Sequence, residues 1–584
     1  MPTAFLLSTD MPVKYYCRGI DFEVIAKMPR RILITSALPY ANGDIHFGHV
    51  MSTYLPADVY SRYCRLRGYD ALHICASDEH GTPIELAAAK AKKQPKELVL
   101  EYHERQKADF SSLGIKFDEF YHTDSPENAK VAVEFFEEHE RKGMIYEKEV
   151  ELTYCERDAR FLPDRFLRGT CPFCGAPDQY GDGCEKCGKT YAVDQLVDPR
   201  CAVCGQKPVR KKSKHLFFAL SKHSGWLGKY IAEKSFPKEV VNYLQKWVGE
   251  GLADWDITRD GPYFGIPIPG EEGKFFYVWY DAPIGYVSST LHYCSSRGKD
   301  YADYWKDGKS EIVHFIGKDI VYFHFLFWPA MLREAGYSLP HRIAVRGHAT
   351  IGGDKMSKSR GNFIGLRDFL SRYPADFLRF YYNSVTPNNS SDADFSWEEF
   401  GAKINSELVG ALCNYCYRVL SFVESKFGGE LPTPRPELLQ AGREKEFSML
   451  VDAFPAKLSG HLEEIELKTG LEAGMAFVAE CNRYFNDRAP WKLAKENPEE
   501  AKAVMYLASK AVFAIAVHFQ QFIPEYCQKV YSQLGFDGSV ESQRWGDYSP
   551  FKAGQKLNNP QIVYRPIEKE VLEAEAAKLA EKTV

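Results

Sequence analysis

The chain has 584 residues, of which 45% are hydrophobic and 26% charged, and its formal net charge at pH 7 is −5. At roughly 150 residues per domain this length predicts three to five domains, and the composition is typical of a soluble globular protein. The sequence lacks the basic excess of non-specific nucleic-acid binders and has no run of about eighteen apolar residues, so a nucleic-acid partner would need a local patch and no membrane span is predicted.

Residues 1–27 are predicted to be an N-terminal extension. They lack a long apolar core and contain Asp10 and Asp21, which fits neither a secretory signal nor an acid-poor transit peptide. Six of the fifteen cysteines lie between Cys171 and Cys204, a clustering that indicates metal in a reducing compartment rather than a disulfide framework. We therefore expect a cytoplasmic protein.

Four short apolar segments are predicted to be strands, and helix-like sequence from Gly48 to Arg67 separates the first two. The four segments are Ile32-Leu-Ile, Ala71-Leu-His-Ile-Cys-Ala, Glu311-Ile-Val-His-Phe-Ile-Gly and Arg342-Ile-Ala-Val-Arg. Apolar strands that alternate with helices indicate a doubly wound parallel sheet, in which ligands bind beyond the carboxyl ends of the strands. The stretches "ALPYANG" and "ASDEHGTP" lie at such ends.

The composition changes twice further along the chain. Residues 142–260 are rich in Cys, Gly, Asp and Lys, which predicts an insertion between the halves of the sheet. From about residue 400 the segments "KINSELVGALCNYCYRVLSFVESKF" and "KAVMYLASKAVFAIAVHFQQFI" have helical spacing, so we expect a helix bundle. The final "EKEVLEAEAAKLAEKTV" predicts a charged terminal helix that packs back on the body.

The insert contains a specific metal-binding pattern. The cysteines follow the spacing C-x2-C-x9-C-x2-C, and neighbouring glycines provide tight turns; the four are Cys171, Cys174, Cys184 and Cys187. Four thiolates suit tetrahedral zinc and leave no position for a reacting water, so the site is predicted to be structural. The alternative is reduced cysteines in a surface loop.

Two other cysteine pairs are less specific. Cys201 and Cys204 need partners, which Cys155 and Asp158 would supply in a second zinc site, and unpartnered thiols remain an equal alternative. The pair in "CNYC" near residue 414 lies within a predicted helix, has no second pair, and is interpreted as ordinary core or helix-surface thiols.

The stretch "HFGH" places His46 and His49 at the start of a helix after a buried strand. Free backbone N–H groups and the helix dipole at such a position favour phosphate, and the imidazoles are able to donate to developing charge. Gly48 between them has no side chain and lets a flat base approach the backbone. Alone, this short pattern is equally consistent with structural histidines.

The stretch "GGDKMSKSRGN" combines two glycines with Lys355, Ser357 and Lys358. Point charges and hydroxyl donors on such a loop suit a polyphosphate whose charge builds in the transition state. Taken by itself, the stretch would be interpreted as a solvated basic loop.

Together the two stretches resemble those of class I aminoacyl-tRNA synthetases, and the surrounding sequence is similar to the methionyl-tRNA synthetase family. The similar segments are "ALPYANGDIHFGH", "RFLPDRF", "GTCPFCG", "DQYGDGCEKCG", "WDITRDGPYFG", "YVWYDAPIGY", "HFIGKDIVYFHFLFWPAML", "KMSKSRGNFI" and "RAPWKLAK". The resemblance runs from about Arg30 through the helical region. The zinc-knuckle insert distinguishes the chain from valyl, isoleucyl and leucyl enzymes, which carry a larger editing domain there.

The resemblance implies a Rossmann-like doubly wound α/β fold, split by a zinc-binding insert and followed by an all-α anticodon-binding bundle. The implied divisions are an N-terminal extension (1–27), the first half of the catalytic domain (28–141), a connective insert with zinc knuckles (142–260), the second half of the catalytic domain (261–349), a KMSKS-loop and stem-contact region (350–399), an anticodon-binding domain (400–550) and a tail helix (551–584). Too little sequence follows the bundle for an appended dimerisation domain, so a monomer is expected.

The implied reaction joins L-methionine to ATP as methionyl-adenylate and then transfers the methionyl group to the terminal adenosine of tRNA(Met), with Mg²⁺ accompanying ATP. The implied catalytic residues are His46, His49, Lys355 and Lys358, and ATP contacts also include Gly48 and Ser357. The implied methionine pocket comprises Ala37, Leu38, Tyr40, Asp78, Trp279, Ala282, Pro283, Tyr286, Ile320 and His324, with Asp78 facing the substrate ammonium. Arg259 and Asp319 also match active-site positions of the family.

For the CAU anticodon, the resemblance implies contacts from Asn414, Arg418 and Trp491, the tryptophan stacking on an unpaired base. Two features depart from the family pattern: Phe47 replaces the commoner isoleucine, and Asp158 stands where some members have a zinc-binding cysteine. The alternatives are a class I synthetase for another apolar amino acid and a catalytically silent tRNA-binding zinc protein.

Overall fold

The structure is a computed structural model that describes residues 30–181, 183–184, 186–187, 189, 191, 193–234, 236–356 and 363–583. The predicted N-terminal extension lies outside the described residues. In chain order the strands are β1 Arg31–Ser36, β2 Asp70–Ser77, β3 Glu119–His122, β4 Ile145–Cys155, β5 Arg160–Phe161, β6 Leu167–Thr170, β7 Gln179–Tyr180, β8 Val197–Cys201, β9 Val209–Phe218, β10 Trp255–Asp256, β11 Thr258–Asp260, β12 Lys274–Phe276, β13 Glu311–Gly317, β14 Arg342–Arg346, β15 Ala349–Ile351, β16 Asp354–Lys355 and β17 Ala393–Asp394.

The central sheet has five strands in the order β14-β13-β1-β2-β3, and every neighbouring pair is parallel. Strand β1 lies in the middle, with Ile32 opposite Glu311 of β13 on one side and Ala71 of β2 on the other. The chain builds the sheet outward from β1 in one direction and then returns to add β13 and β14 on the other. The switch point therefore falls between β1 and β13, and the predicted doubly wound sheet is confirmed.

The α-helices surround this sheet and form the C-terminal part of the chain. They are Phe47–His49, Leu55–Leu66, Thr82–Ala91, Pro95–Ser112, Pro126–Arg141, Ser224–Glu233, Lys238–Glu250, Val278–Asp281, Ile284–Ser295, Ala302–Trp305, Trp328–Glu334, Leu366–Leu370, Ala375–Val385, Trp397–Ala402, Asn414–Phe427, Gly442–Glu463, Leu467–Arg488, Pro490–Glu496, Pro498–His518, Pro524–Gln533 and Lys569–Thr583. Three π-helical segments adjoin them: Val50–Tyr54, Phe323–Phe327 and Lys403–Cys413. The predicted helix from Gly48 is thus continuous but locally widened.

The insert between β3 and β13 is built on a long antiparallel hairpin of β4 and β9, whose register runs from Ile145 opposite Phe218 to Tyr154 opposite Val209. A small sheet in the order β7-β6-β8 lies between these two strands in sequence and carries the cysteine-rich turns. This arrangement splits the parallel sheet in sequence without interrupting it in space.

The helical region packs around Pro498–His518, a helix long and apolar enough to cross a membrane by composition alone. Its apolar window is 83% buried inside the protein, as expected for the central helix of a bundle. The terminal helix spans Lys569–Thr583, so residues 551–568 of the predicted tail helix are not helical. The helix packs back on the body as predicted, because Leu572 fills the space beside Gly401 and Glu575 pairs with Arg372.

A buried ionic network joins the helical region to the sheet. Asp58 accepts hydrogen bonds from Arg62 Nε at 2.8 Å and from Arg379 Nη2 at 2.7 Å. Arg379 is fully buried and also donates to the backbone carbonyls of Gln521 and Phe522. A buried guanidinium is tolerated only when it is paired and hydrogen-bonded in this way.

Candidate active site

A cavity of about 330 Å³ lies at the carboxyl ends of β1, β2 and β13, at the switch point of the sheet. Short loops bring its lining together, because β1 continues into Ala37–Tyr40, β2 into Asp78, and β13 into Asp319 and Ile320. Both π-helical segments near the sheet contribute side chains to the wall. Local π turns are frequent at functional sites, because they redirect side chains within a helix.

The end of the cavity that is predicted to bind phosphate is formed by the start of the Phe47–His49 helix. His46 is the N-cap residue, and its Nδ1 accepts a hydrogen bond from the Gly48 N–H at 3.1 Å. Its ring stacks on His49, with ring centroids 3.7 Å apart. A Cβ on residue 48 would lie 3.0 Å from His46 Cε1, so any larger residue would require the capping ring to shift. This reason for Gly48 differs from the predicted approach of a base.

The carboxylate of Asp78 provides a buried negative group in the wall. The residue is 3% exposed, and its Oδ1 has no hydrogen-bond partner among the described residues. Burial, together with the nearby Asp281 carboxylate, raises the pKa of Asp78 well above its ordinary value. An ammonium group entering the cavity would satisfy this oxygen and favour the ionised carboxylate.

The opposite end is aromatic and uncharged. Trp279 stacks on Phe323 with centroids 3.9 Å apart and planes inclined by 3°. His324 donates from Nδ1 to the Ile320 carbonyl at 3.1 Å and accepts at Nε2 from the Tyr286 hydroxyl at 2.9 Å. Burial lowers the pKa of His324 to about 4, so the ring is neutral at physiological pH. Such a wall suits a polarisable apolar side chain.

An ion pair behind the wall fixes the Asp78 loop relative to the Trp279 helix. His80 Nδ1 lies 2.7 Å from Asp281 Oδ2, and both residues are buried. Burial alone would lower the pKa of His80, but the carboxylates of Asp281 and Asp124 outweigh it and raise the value to about 10. Nothing in the sequence alone indicated this pair, since 201 residues separate its members.

The structure brings most of the predicted ligand-binding residues into this one cavity. All ten residues of the predicted methionine pocket line it, as do His46, Gly48, His49 and Asp319. Arg259 does not: it lies over the Tyr277 ring at 3.8 Å and lines a neighbouring cavity beside the β4–β9 hairpin. Further lining residues that the sequence did not single out are Asn42, Ser52, Thr53, Tyr54, Phe323, Trp328, His348 and Met356.

The lysine-rich loop is only partly described. Lys355 belongs to β16, which pairs with β15 so that Lys355 lies opposite Thr350. Met356, the next residue, lines the cavity. Ser357 and Lys358 lie outside the described residues.

The first cysteine cluster has the geometry of a tetrahedral metal site. The ligand atoms of Cys171, Cys174, Cys184 and Cys187 all lie within 4.8 Å of one another. Sulfur separations are 3.8 Å for Cys171–Cys187 and 3.5 Å for Cys174–Cys184. Zinc–sulfur bonds of about 2.3 Å in a tetrahedron place sulfurs about 3.8 Å apart, so the donor set fits zinc.

The second predicted cluster also converges. Cys155, Asp158, Cys201 and Cys204 offer ligand atoms within 4.8 Å of one another. Asp158 Oδ2 lies 3.0 Å from Cys201 Sγ and 3.3 Å from Cys155 Sγ. The carboxylate therefore occupies the fourth corner beside three sulfurs, a donor set that zinc accepts.

The predicted anticodon-contacting residues lie on the helical region. Trp491 is 41% exposed, and its ring lies 6.0 Å from that of Phe485. Arg418 lies over the same Phe485 ring at 4.9 Å and donates to Asn486 Oδ1. Asn414 is exposed one helical turn before Arg418. These side chains combine polar and aromatic groups with the single positive charge of Arg418.

Comparison with known proteins agrees with this organisation. Residues 32–420 match the family described as "tRNA synthetases class I (M)", and residues 439–583 match the "Anticodon binding domain of methionyl tRNA ligase". The methionine–tRNA ligase of Methanopyrus kandleri is 41% identical over 95% of this chain and 82% of its own length. That of Myxococcus xanthus is 40% identical over 94% of this chain and 78% of its length.

The fold has solved counterparts. The structure of Mycobacterium tuberculosis methionyl-tRNA synthetase in complex with methionyl-adenylate aligns with a TM-score of 0.75 and 25% identity, covering 92% of this chain and 99% of that one. The expected split parallel sheet with a helical C-terminal domain is thereby confirmed. This chain belongs to the methionine–tRNA ligase family of class I aminoacyl-tRNA synthetases.

Proposed function

We propose that the cavity is the site at which this ligase activates L-methionine with ATP and then esterifies tRNA(Met). In the first step a carboxylate oxygen of methionine attacks the α-phosphorus of ATP. A phosphorus–oxygen bond forms, the bond to the β-phosphate bridging oxygen breaks, and pyrophosphate leaves with that electron pair. In the second step a hydroxyl of the 3′-terminal ribose attacks the methionyl carbonyl, and AMP leaves. Positioning and charge stabilisation are the protein's main contributions.

The observation that carries this proposal is the unsatisfied carboxylate of Asp78 in the same cavity as an aromatic wall. A zwitterionic amino acid with an apolar side chain fits both features: its ammonium group pairs with Asp78, and its thioether lies among Trp279, Tyr286 and His324. Ala37, Leu38, Tyr40, Ala282, Pro283 and Ile320 complete the proposed pocket. One methylene in such a pocket is worth only about 1–3 kcal/mol, so discrimination also depends on shape.

The proposed phosphate contacts lie at the other end of the cavity. The start of the Phe47–His49 helix, with His46 and His49 stacked on it, would face the ATP phosphates, where the helix dipole favours negative charge. Lys355, Ser357 and Lys358 would close over the β and γ groups. Mg²⁺ bound to ATP would neutralise phosphate charge.

The tRNA contacts, the oligomeric state, the cellular location and the bound metal are proposed on the same basis. Asn414, Arg418 and Trp491 would recognise the splayed bases of a CAU anticodon. We infer a monomeric enzyme that acts in the cytoplasm. The two cysteine clusters would hold structural zinc, because neither donor set leaves an open coordination position.

The test is ATP–pyrophosphate exchange with purified protein and each of the twenty amino acids, without tRNA. Exchange with methionine alone supports the activation step and the pocket. Exchange with another amino acid would keep the reaction class and overturn the specificity. No exchange from folded, zinc-loaded protein would favour a silent tRNA-binding protein.

A further inference from the structure

A continuous row of aromatic rings leads from the cavity to the protein surface. Phe323, which stacks on Trp279 inside the cavity, lies 5.8 Å from Tyr322. Tyr322 lies 4.4 Å from Trp247, and Trp247 lies 5.9 Å from Tyr243, measured between ring centroids. We call Phe323, Tyr322, Trp247 and Tyr243 the aromatic row.

The outer half of the row is exposed. Tyr243 is 52% and Trp247 is 37% exposed, and both lie on the Lys238–Glu250 helix. That helix is anchored by Val240 and Leu244, which are buried beside the two rings, whereas Tyr243 and Trp247 stay largely exposed. The two exposed rings are therefore not needed to fill the core, and their apolar faces are available to a ligand.

The beginning of the same helix contacts a segment that also reaches the cavity wall. At its beginning Glu239 accepts from the Ser390 N–H and hydroxyl at 3.4 Å. Asp392, two residues after Ser390, accepts a hydrogen bond from the N–H of His348 at 2.7 Å. His348 in turn lines the cavity. Residues 239, 243 and 247 are spaced by four, so they share one helical face. That face therefore connects the segment beside His348 with Tyr322, the neighbour of Phe323 in the cavity wall.

We propose that the aromatic row is a stacking platform for the unpaired 3′-terminal nucleotides of tRNA. This inference rests on the proposed function, because that reaction requires the terminal ribose to reach the methionyl carbonyl inside the cavity. The unpaired strand must then cross the mouth. Aromatic rings hold splayed bases of any sequence, with roughly 1–3 kcal/mol per stacked base.

One exposed cation on the same helix is placed to contact an RNA phosphate, whereas Glu239 on the shared face is hydrogen-bonded to Ser390. Lys246 lies three residues after Tyr243, so the two side chains are neighbours on the helix surface. Its side chain is 76% exposed, and the partner closest to it, Glu250, lies at 4.0 Å and is itself 66% exposed. Such a pair is weak in water, so the ammonium group is able to contact phosphate. A protein bound permanently to these rings would instead obstruct the entrance that the tRNA needs.

The experiment compares Trp247→Ala, Tyr243→Ala and the double variant with the wild-type enzyme. Loss of one stacked base predicts a 5- to 150-fold fall in kcat/KM for tRNA(Met) per ring, the equivalent of about 1–3 kcal/mol. Methionine-dependent pyrophosphate exchange should remain within twofold, because that step involves no tRNA. Trp247→Phe retains a ring and should restore most of the transfer efficiency.

Trp226→Ala is the matched control. Trp226 is a partly exposed tryptophan on the neighbouring Ser224–Glu233 helix, where it stacks on Tyr230 away from the row. It should leave both assays within twofold. If Trp247→Ala fails to fold, Tyr243→Ala still tests the proposal, since Tyr243 is the more exposed ring.

Transfer efficiency within twofold of wild type in the double variant would overturn the platform while the proposed function stands. An equal loss in the Trp226→Ala variant would also overturn it, because the effect would then be general to this surface. Absence of exchange in the wild-type enzyme would instead refute the proposed function.

Discussion

Replacing Asp78 by asparagine is expected to weaken catalysis while stabilising the protein. The asparagine keeps the shape of the side chain but removes the charge that faces the substrate ammonium. A hydrogen bond to a charged group contributes about 1.5–3 kcal/mol, so kcat/KM for methionine in pyrophosphate exchange should fall about 10- to 150-fold. Because Asp78 is 3% exposed and its Oδ1 lacks a partner in the described part of the chain, solvent does not screen the loss.

The Asp78→Asn substitution also removes a buried carboxylate that has no hydrogen-bond partner for Oδ1 while the site is empty. The free energy of unfolding should therefore rise, on the order of 1 kcal/mol near neutral pH. Since the pKa of Asp78 is raised in the folded protein, the native state binds the additional proton. The free energy of unfolding of the wild type should therefore decrease as pH rises from the ordinary carboxyl pKa through the raised pKa of folded Asp78. In acid, where Asp78 is protonated in both states, the stability difference between Asp78→Asn and wild type should vanish.

The matched control is Asp281→Asn, the same chemical change at a neighbouring buried carboxylate. Asp281 pairs with His80, so its loss leaves a buried cation with only the longer contact to Asp124, at 3.7 Å, and should cost about 3–5 kcal/mol. The contribution of protonated His80 should be complete below its ordinary pKa of about 6.5 as long as Asp281 is ionised, and it should disappear as pH rises through about 10, the raised pKa of His80. Equal destabilisation by the two substitutions, or unchanged exchange in Asp78→Asn, would refute the assignment of Asp78 to the substrate.

Three further outcomes are expected. Asp58→Ala should lower the free energy of unfolding by about 3–5 kcal/mol in denaturant titrations, because it leaves the buried Arg379 guanidinium without its carboxylate and removes one of the two carboxylates that pair with Arg62. Burial alone would raise the pKa of Asp58, but Arg62 and Arg379 outweigh it and lower the value, so the wild-type advantage should be complete above about pH 4 and fall progressively at lower pH; a loss under about 1 kcal/mol at pH 7 would contradict this. Metal analysis should find two zinc ions per chain, and one should remain after either Cys184→Ser or Asp158→Ala. An unchanged zinc content in the Asp158→Ala variant would exclude the second site. Trp491→Ala should reduce kcat/KM for tRNA(Met) about 5- to 150-fold and leave pyrophosphate exchange unchanged. Met449→Ala, at another exposed apolar position of the helical region, should alter neither activity, and an equal effect of the two substitutions would contradict base stacking.

The four apolar strand segments were predictable because each is buried on both faces, which produces an uninterrupted apolar run. Strand β3, Glu119–His122, was missed because all four of its residues are only partly buried, whereas β14 at the other edge of the sheet is largely buried. The cysteine clusters were likewise predictable, since metal-ligand spacing is local in sequence. The widened turns at Val50–Tyr54 and Phe323–Phe327 have no comparable local pattern.

The candidate site was predictable chiefly through the family resemblance. Histidines at a helix start indicated phosphate, but no residue pattern joined Asp78 to Trp279, which approach only when β2 and the Val278–Asp281 helix pack together. Arg259, which matches an active-site position of the family, lies on the Tyr277 ring and lines the neighbouring cavity, and its role stays a prediction. Contacts between distant segments depend on packing that sequence spacing does not encode.

The buried network at Asp58 also has a consequence for the order of synthesis. Its partner Arg379 follows 321 residues later, and the carbonyl of Phe522 that satisfies Arg379 comes another 143 residues after that. At roughly 5–20 residues per second, a ribosome needs on the order of 20–90 s to complete this set. Arg62 pairs with Asp58 early, but throughout that interval the network lacks first Arg379 and then the carbonyl groups of Gln521 and Phe522 that satisfy it. Final docking of the Leu55–Leu66 helix against the helical region therefore awaits the last fifth of the polypeptide.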